Sequence, residues 1–508
     1  MTGYPPWGHK FLNRLCLRDS HSRNAFYIFL LTFLCYACYH ASRKPISIVK
    51  GVLHTAEYKH ATSNTLRRGW APFDQENWSQ LIGGLEYSYL IVYAISMVSS
   101  GYIAERTDLR MFLAVGMFIS GLMNVAFACA YYLDIHSYTY FMVVQVLSGI
   151  FQASGWPAVV TLMGNWWGKR RRGFIMGMWN AHTSIGNILG SVLAGQFVQS
   201  NWGASFAVPG LILLGGSVVV YASLVDHPDR LGLPDSAVKS PHPKEFSPGP
   251  THSLSEPCLH RRNSKADSDV DVKPTRSSRK AITVCEALSV PNVLAYSVLL
   301  FFAKLVSYTF LYWLPNYLAV IEANRVNAEQ AANLSVLFDL GGIVGGVLAG
   351  LLSDSRNPET DSRIIWRRSV TCAVMLLLAA PSLLLYQQIA SATSSVSLAL
   401  LFFCGALVNG PYALITTAVA ADLGTQPSLL TRTRALATIT AIIDGTGSFG
   451  AALGPFLTGL LVPLGWYSVF TMLIIADLLA WCVAMWVAFH TRRGYISLAP
   501  VEKDLFGI

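Results

Sequence analysis

Gly101-Tyr102-Ile103-Ala104-Glu105-Arg106 closes one apolar run of the chain, and about 250 residues later Gly350-Leu351-Leu352-Ser353-Asp354 closes another. Each stretch has a glycine followed four residues on by an acid, at the same place after a hydrophobic segment. Other features return at a similar offset. Gly155-Trp156-Pro157 answers Asn409-Gly410-Pro411, and the small-residue stretch 186–195 answers 445–454. A single glycine of this kind reads most simply as close helix packing in lipid. The repetition says more: two homologous halves with a substrate site between them are a transporter architecture.

Composition agrees. Of 508 residues, 53% are hydrophobic and 13% charged, against about 25% charged in an average soluble domain. Residues 24–41, 111–135 and 466–490 form apolar runs that approach or exceed the roughly 20 residues a spanning helix needs. A soluble enzyme and a nucleic-acid binder are thereby excluded, and the net charge of +9 is read by membrane side. Twelve spans are expected, at 24–49, 79–104, 110–133, 137–165, 172–198, 203–225, 292–320, 330–353, 366–388, 396–422, 433–462 and 466–490. The stretch 226–280 is rich in Ser, Pro, Asp, Lys and Arg and too poor in apolar residues to offset ordering entropy. It reads as a disordered linker between an N-terminal six-helix bundle (1–225) and a C-terminal bundle with its tail (281–508). Placing both termini and this linker in the cytosol puts most of the 37 Lys and Arg there, including Arg106, Arg110 and the run Lys169-Arg170-Arg171-Arg172. No nucleophile–base pair or metal cluster stands out, so neither an enzyme nor a metal or cofactor site is expected. Cys35-x-x-Cys38 lies in an apolar helix without a second ligand pair. No cysteine falls in an expected outer loop, so no structural disulfide is expected.

A cation in mid-bilayer costs about 3 kcal/mol on insertion scales, so Arg43, Lys44 and Lys304 need a reason to be within spans. The planar fork of Arg reads phosphate with two parallel hydrogen bonds, and Lys adds a point charge. Arg43 and Lys304, one from the first helix of each half, are expected to converge on a central anion site. Snorkelling to an interface is the plainer alternative, most of all for the Arg43-Lys44 pair beside Pro45. Three intramembrane acids, Glu86, Asp339 and Asp444, match these cations in number. They read as charge neutralisation of an empty site, as proton coupling, or as local hydrogen-bonding groups; Asp339 is expected to pair with Lys44. Tyr36, Tyr39 and His40 in span 1, Asn165 in span 4, Trp179, Asn180 and His182 in span 5, and Asn409 and Tyr412 in span 10 are candidates to orient a sugar, although membrane aromatics are as often packing.

The Gly-x-x-x-acid loops resemble the loop motif of the major facilitator superfamily. Further stretches sharpen this: Ser42-Arg43-Lys44-Pro45, Gly155-Trp156-Pro157, Ala303-Lys304-Leu305-Val306-Ser307-Tyr308, Asn409-Gly410-Pro411-Tyr412 and Asp444-Gly445-Thr446-Gly447-Ser448. With these the chain resembles the organophosphate:phosphate antiporters, and most of all the animal sugar-phosphate exchangers of solute carrier family 37. The resemblance implies an all-α membrane protein, twelve helices in two pseudo-symmetric bundles, working in the endoplasmic reticulum membrane. Arg43-Lys44 matches the span 1 pair of the bacterial glycerol-3-phosphate antiporter, so Arg43 inherits a phosphate-ligand role. The family's span 7 arginine slot falls on Ser307, with Lys304 one turn earlier. Asn165 stands where the bacterial site has a histidine, Met97 where it has a lysine, and Asp339 matches an acid. The resulting expectation is exchange of a phosphorylated sugar or polyol, of glucose-6-phosphate or glycerol-3-phosphate type, for inorganic phosphate by alternating access. The rival readings are a proton-coupled carrier of another organic anion, and a membrane partner or sensor with little transport.

Overall fold

The computed structural model describes residues 21–506 except 56, 60–65, 76, 168–171, 199, 234–279, 322–327, 355–360, 390–393, 427–428 and 430–432. Among the described residues, eleven helices are long and apolar enough to cross a membrane, and they cover every expected span but the fifth. Span 5 is present in two pieces, Arg172–Asn180 and His182–Phe197. Asn180, His182, Thr183, Ser184 and Asn187 crowd the junction. A helix with so polar a face is tolerated in a membrane where that face is enclosed by protein or lines a cavity.

Prolines place the other irregularities. Pro lacks the N–H that would bond the carbonyl four residues back. Span 1 accordingly divides into His21–Arg43 and Pro45–Thr55, with Lys44 at the break. Span 4 divides into Tyr138–Gln152 and Gly155–Trp166, just ahead of Pro157. Span 10 runs Ser395–Leu414, passes Pro411, and continues through a π-helical turn Ile415–Val419 into Ala420–Gly424. The backbone thus loosens beside Arg43 and Lys44, beside Gln152 and beside Tyr412. The lipid-facing sides are lined by exposed Leu34, Ile95, Val115, Leu211, Leu352 and Phe403.

The repeated loops prove to be the contacts that join the halves. A Cβ on Gly350 would collide with the Gly173 carbonyl oxygen, and one on Gly101 would collide with the Ala441 Cβ. Both motif glycines therefore permit a backbone approach that any side chain would block. The motif acids cap helices of the opposite half. Asp354 accepts from the backbone N–H of Gly173 (2.9 Å) and Phe174 (2.8 Å), at the start of span 5. Glu105 accepts from the Ala437 N–H (2.6 Å), at the start of span 11. An acid at a helix N-terminus satisfies orphan donors and meets the positive end of the dipole. Between the caps, Asp422 accepts a hydrogen bond from Arg172 (3.1 Å) across the halves and forms an ion pair with Arg368 (2.7 Å) within its own. These contacts shut this end of the molecule.

Of the expected 226–280 linker, residues 234–279 lie outside the described residues. The first residues, 226–233, pack onto the bundle: Arg230 forms ion pairs with Asp226 (2.7 Å) and Asp108 (3.1 Å), and the carbonyl of Asp226 accepts from Asn165, as that of Val225 just before it does from Trp166. Composition could not show this, because a few ion pairs and the short apolar contacts of Pro228, Leu231 and Leu233 hold the segment, too few to stand out in its polar sequence. At the far end, Lys280–Ala281 pairs in parallel with Thr433–Arg434, and Glu57–Lys59 pairs antiparallel with Leu66–Arg68 between spans 1 and 2.

Candidate functional site

Two adjoining lobes lie where the halves face each other. The first, about 490 Å³, is lined by Arg43, Lys44, Tyr89 and Tyr93 from the N-terminal half and by Tyr308, Tyr312 and Ser448 from the C-terminal half. The second, about 530 Å³, is lined by Asn180, Thr183 and Ser184 and, across from them, Ser307, Asp339, Asn409 and Tyr412. His40, Asn187 and Tyr308 border both. The first lobe carries the cations; the second is lined by amides and hydroxyls with one carboxylate.

Arg43 is the best-prepared anion group. Its Nε donates to Gln152 Oε1 (2.5 Å), and its guanidinium carbon stands 4.9 Å from the Tyr93 ring centroid and 5.9 Å from that of Tyr36. Its Nη2 is enclosed with no hydrogen-bond partner among the described residues. A buried donor left unmatched in the empty protein is a place for a ligand acceptor. Lys44 borders the same lobe, and its charge acts on Asp339 in the neighbouring one, where Asn187 stands beside that carboxylate. The expected Lys44–Asp339 partnership is thus one of electrostatic neighbours across the two halves.

Lys304 departs from expectation. It lines neither lobe. Its Nζ, with the residue 2% exposed, donates to Asp444 Oδ1 (2.7 Å) and reaches Ser448 Oγ (3.3 Å). The physical reason is local: an ammonium enclosed in an apolar bundle is held by the nearest carboxylate, and Asp444 on span 11 faces it. Asp444 therefore neutralises Lys304, and in this conformation Arg43 lines the first lobe while Lys304 lines neither. Tyr308 and Tyr412, with ring centroids 5.8 and 5.7 Å from Nζ, stand by the pair.

The remaining candidates separate by position. His40, Asn180, Asn409 and Tyr412 border the lobes. Tyr36, Tyr39, Trp179 and His182 instead pack behind the cavity. Tyr36 lies 5.0 Å, centroid to centroid, from both Trp156 and His182, and Trp179 Nε1 donates to Thr32 (3.0 Å). Tyr39 fills the space left by Gly155, where a Cβ would meet its ring at 2.9 Å. Asn165 is away from both lobes, spent on the Asp226 carbonyl (3.0 Å). Glu86 borders a third chamber of about 460 Å³ behind Arg43, with Gln145, Gln152 and Tyr312. Sequence reasoning missed Gln152, Asn187, Tyr89, Tyr93, Tyr308, Tyr312 and Ser448. Four of them had a signal: Tyr308 and Ser448 lie inside stretches that carry the family resemblance, Asn187 inside the small-residue run, and Gln152 just ahead of Gly155-Trp156-Pro157.

Comparison with known proteins agrees with this architecture. The Major Facilitator Superfamily family model matches residues 32–439. The chain is 49% identical over 473 residues to the glucose-6-phosphate exchanger SLC37A2 of Homo sapiens, covering 91% of each chain. It is 47% identical to the protein of that name from Bos taurus, over 89% of this chain and 92% of the relative. It is 44% identical to the glucose-6-phosphate exchanger SLC37A1 of Homo sapiens, over 90% of this chain and 92% of the relative. Among solved structures, a variant of the E. coli fucose:proton symporter FucP aligns with a TM-score of 0.55 at 13% identity, covering 92% of this chain and 99% of that one. At that identity the likeness is one of fold.

Proposed function

Because the chain belongs to the major facilitator superfamily and, within it, to the family of the glucose-6-phosphate exchangers, we propose that it exchanges a phosphorylated sugar for inorganic phosphate across a membrane, with both ligands seated at Arg43. The observation that carries this reading is the enclosed, unmatched Nη2 of Arg43 in a cavity shared by both halves. A phosphoryl oxygen supplies the missing acceptor, and Lys44 adds charge without demanding geometry. Inorganic phosphate fills the first lobe alone. A sugar phosphate extends from it past His40 and Asn187 into the second, where Asn180, Asn409 and Tyr412 offer partners to its hydroxyls.

Exchange without leak follows from charge. Lys304 is neutralised by Asp444 and Lys44 has Asp339 as an electrostatic neighbour, whereas the contacts of Arg43 among the described residues are to neutral groups, Gln152 and the Tyr36 and Tyr93 rings, so that its charge is the one a bound anion would answer. Closing the halves over that charge is costly in low dielectric. A bound phosphate removes the cost and allows the Glu105 and Asp354 caps to release and re-form as the halves rock. In the same reading the capped end and both termini face the cytosol, and the membrane is that of the endoplasmic reticulum.

The test is exchange in proteoliposomes preloaded with phosphate. Arg43→Ala should abolish phosphate–phosphate and sugar phosphate–phosphate exchange alike. If it abolished sugar phosphate uptake and left phosphate–phosphate exchange intact, Arg43 would not be the shared phosphoryl ligand.

A further inference from the structure

We propose that Gln152 is the positioning residue of the anion site: it occupies the Nε edge of Arg43 and so presents the opposite, Nη edge of the guanidinium to the phosphate. The inference rests on the functional reading above and assigns a role to a residue outside the substrate lobes. Gln152 is 1% exposed and borders the chamber behind Arg43 and neither lobe in front of it.

Its amide orientation is settled by chemistry. The Nε of Arg43 can only donate, so the atom facing it at 2.5 Å is the Gln152 oxygen. Tyr89 donates its hydroxyl to the same oxygen (2.9 Å). The amide nitrogen donates to Ser42 Oγ (3.0 Å), and Ser42 in turn donates to the Tyr39 carbonyl (2.8 Å). Gln152 is thereby pinned at both ends, to spans 1 and 2, from the last turn of the first segment of span 4. The break ahead of Pro157 sets where that segment stops.

This has a consequence for recognition. An arginine grips an oxyanion either side-on, through Nε and one Nη, or end-on, through both Nη nitrogens. With Nε taken, the side-on mode is closed. The end-on pair remains, and Nη2 is the enclosed atom that lacks a partner. Gln152 is uncharged, so it fixes the fork without spending the cation, which a glutamate in its place would do. A fork held in advance also loses less conformational freedom when the phosphate binds.

The experiment titrates inorganic phosphate against the unfolding temperature of the detergent-purified full chain, which reports affinity without requiring turnover. Phosphate–phosphate exchange is measured in parallel. Gln152→Leu should raise the phosphate concentration for half-effect about tenfold or more and lower the saturated exchange rate less than threefold. In an Arg43→Lys background, which has no Nε–H to hold, the same substitution should cost less than twofold. An equal cost in both backgrounds would mean that Gln152 does not act through Arg43, and overturns the proposal. Should Gln152→Leu fail to fold, Gln152→Glu keeps the shape and decides: a tenfold or greater loss of phosphate affinity is expected, and wild-type affinity overturns the proposal. If wild-type protein showed neither phosphate stabilisation nor exchange, the functional reading would be the one to fail.

Discussion

Lys304 and Asp444 stand 2.7 Å apart with both side chains almost fully enclosed, and this contact changes what substitutions there should do. Removing one partner of a buried pair leaves an uncompensated charge and costs about 3–5 kcal/mol, whereas removing both can be nearly neutral. Lys304→Ala and Asp444→Ala should therefore each lower the unfolding temperature and the amount of inserted protein. Lys304→Met combined with Asp444→Leu should recover most of that stability; a double variant as damaged as the sum of the singles would show that the two are not coupled. Arg43 behaves differently because its cation is held by neutral groups. Arg43→Lys keeps the charge and loses the fork, so phosphate half-saturation should rise about tenfold, the equivalent of about 1.4 kcal/mol. A lysine variant with unchanged half-saturation would mean that charge alone is being read. The sequence showed these cations as equivalents because each lies in the first helix of its half. It could not show that one faces an acid 140 positions away, since which face of a span meets which neighbour depends on how the halves pack.

At the scale of elements, the two acid caps should hold the closed end. Asp354 receives two backbone N–H groups of span 5, and losing a charged cap costs about 1 kcal/mol or more. In Asp354→Asn, amide hydrogen exchange at Gly173 and Phe174 should speed up about five- to tenfold; unchanged protection would remove the cap from the account of closure. A third cap lies outside the membrane. Asp108 accepts from the N–H groups of Arg110 and Met111 at the start of span 3 and pairs with Arg230. Burial pushes its carboxyl up, but Arg230 and the Met111 N–H outweigh this and hold it below the usual carboxylate value. A carboxyl whose folded value is depressed stabilises at any pH above its unfolded value, and that contribution fades as pH falls through the folded one. Between pH 5 and 8 the contribution of Asp108 should therefore be constant. The difference in unfolding temperature between wild type and Asp108→Asn should be flat across that window and shrink only in stronger acid; a difference that changed between pH 6 and 8 would point to another titrating group. The cap positions were half legible. The glycine–acid repeat identified both loops, but its reading as a packing motif gave no hint that each acid reaches into the other half.

For the whole molecule, the twelve-span layout was legible because hydrophobic length and the repeat are properties of the chain itself. The interrupted fifth span was not, because the polar residues that break its apolar run are the ones that line a cavity. The candidate site was legible where family stretches and membrane charge coincide, at Arg43 and Lys44, both of which line the first lobe. It was opaque at Gln152, whose role depends on three hydrogen bonds to two other spans. The connection between the halves should likewise divide in function. Deleting about 40 residues within 234–279 should leave exchange within a few-fold, whereas Arg230→Ala, which frees 226–233 from Asp108, should lower the unfolding temperature; a deletion variant that inserts normally and does not transport would mean the segment is part of the machine. Strict exchange at one phosphoryl site is decided by measuring labelled glucose-6-phosphate entry into proteoliposomes at equal internal and external pH, with and without internal phosphate, while counting the phosphate that leaves. Phosphate efflux should match sugar phosphate entry, with no entry into empty vesicles. Entry into empty vesicles that follows an imposed pH gradient would contradict strict exchange and make the protein a proton-coupled carrier.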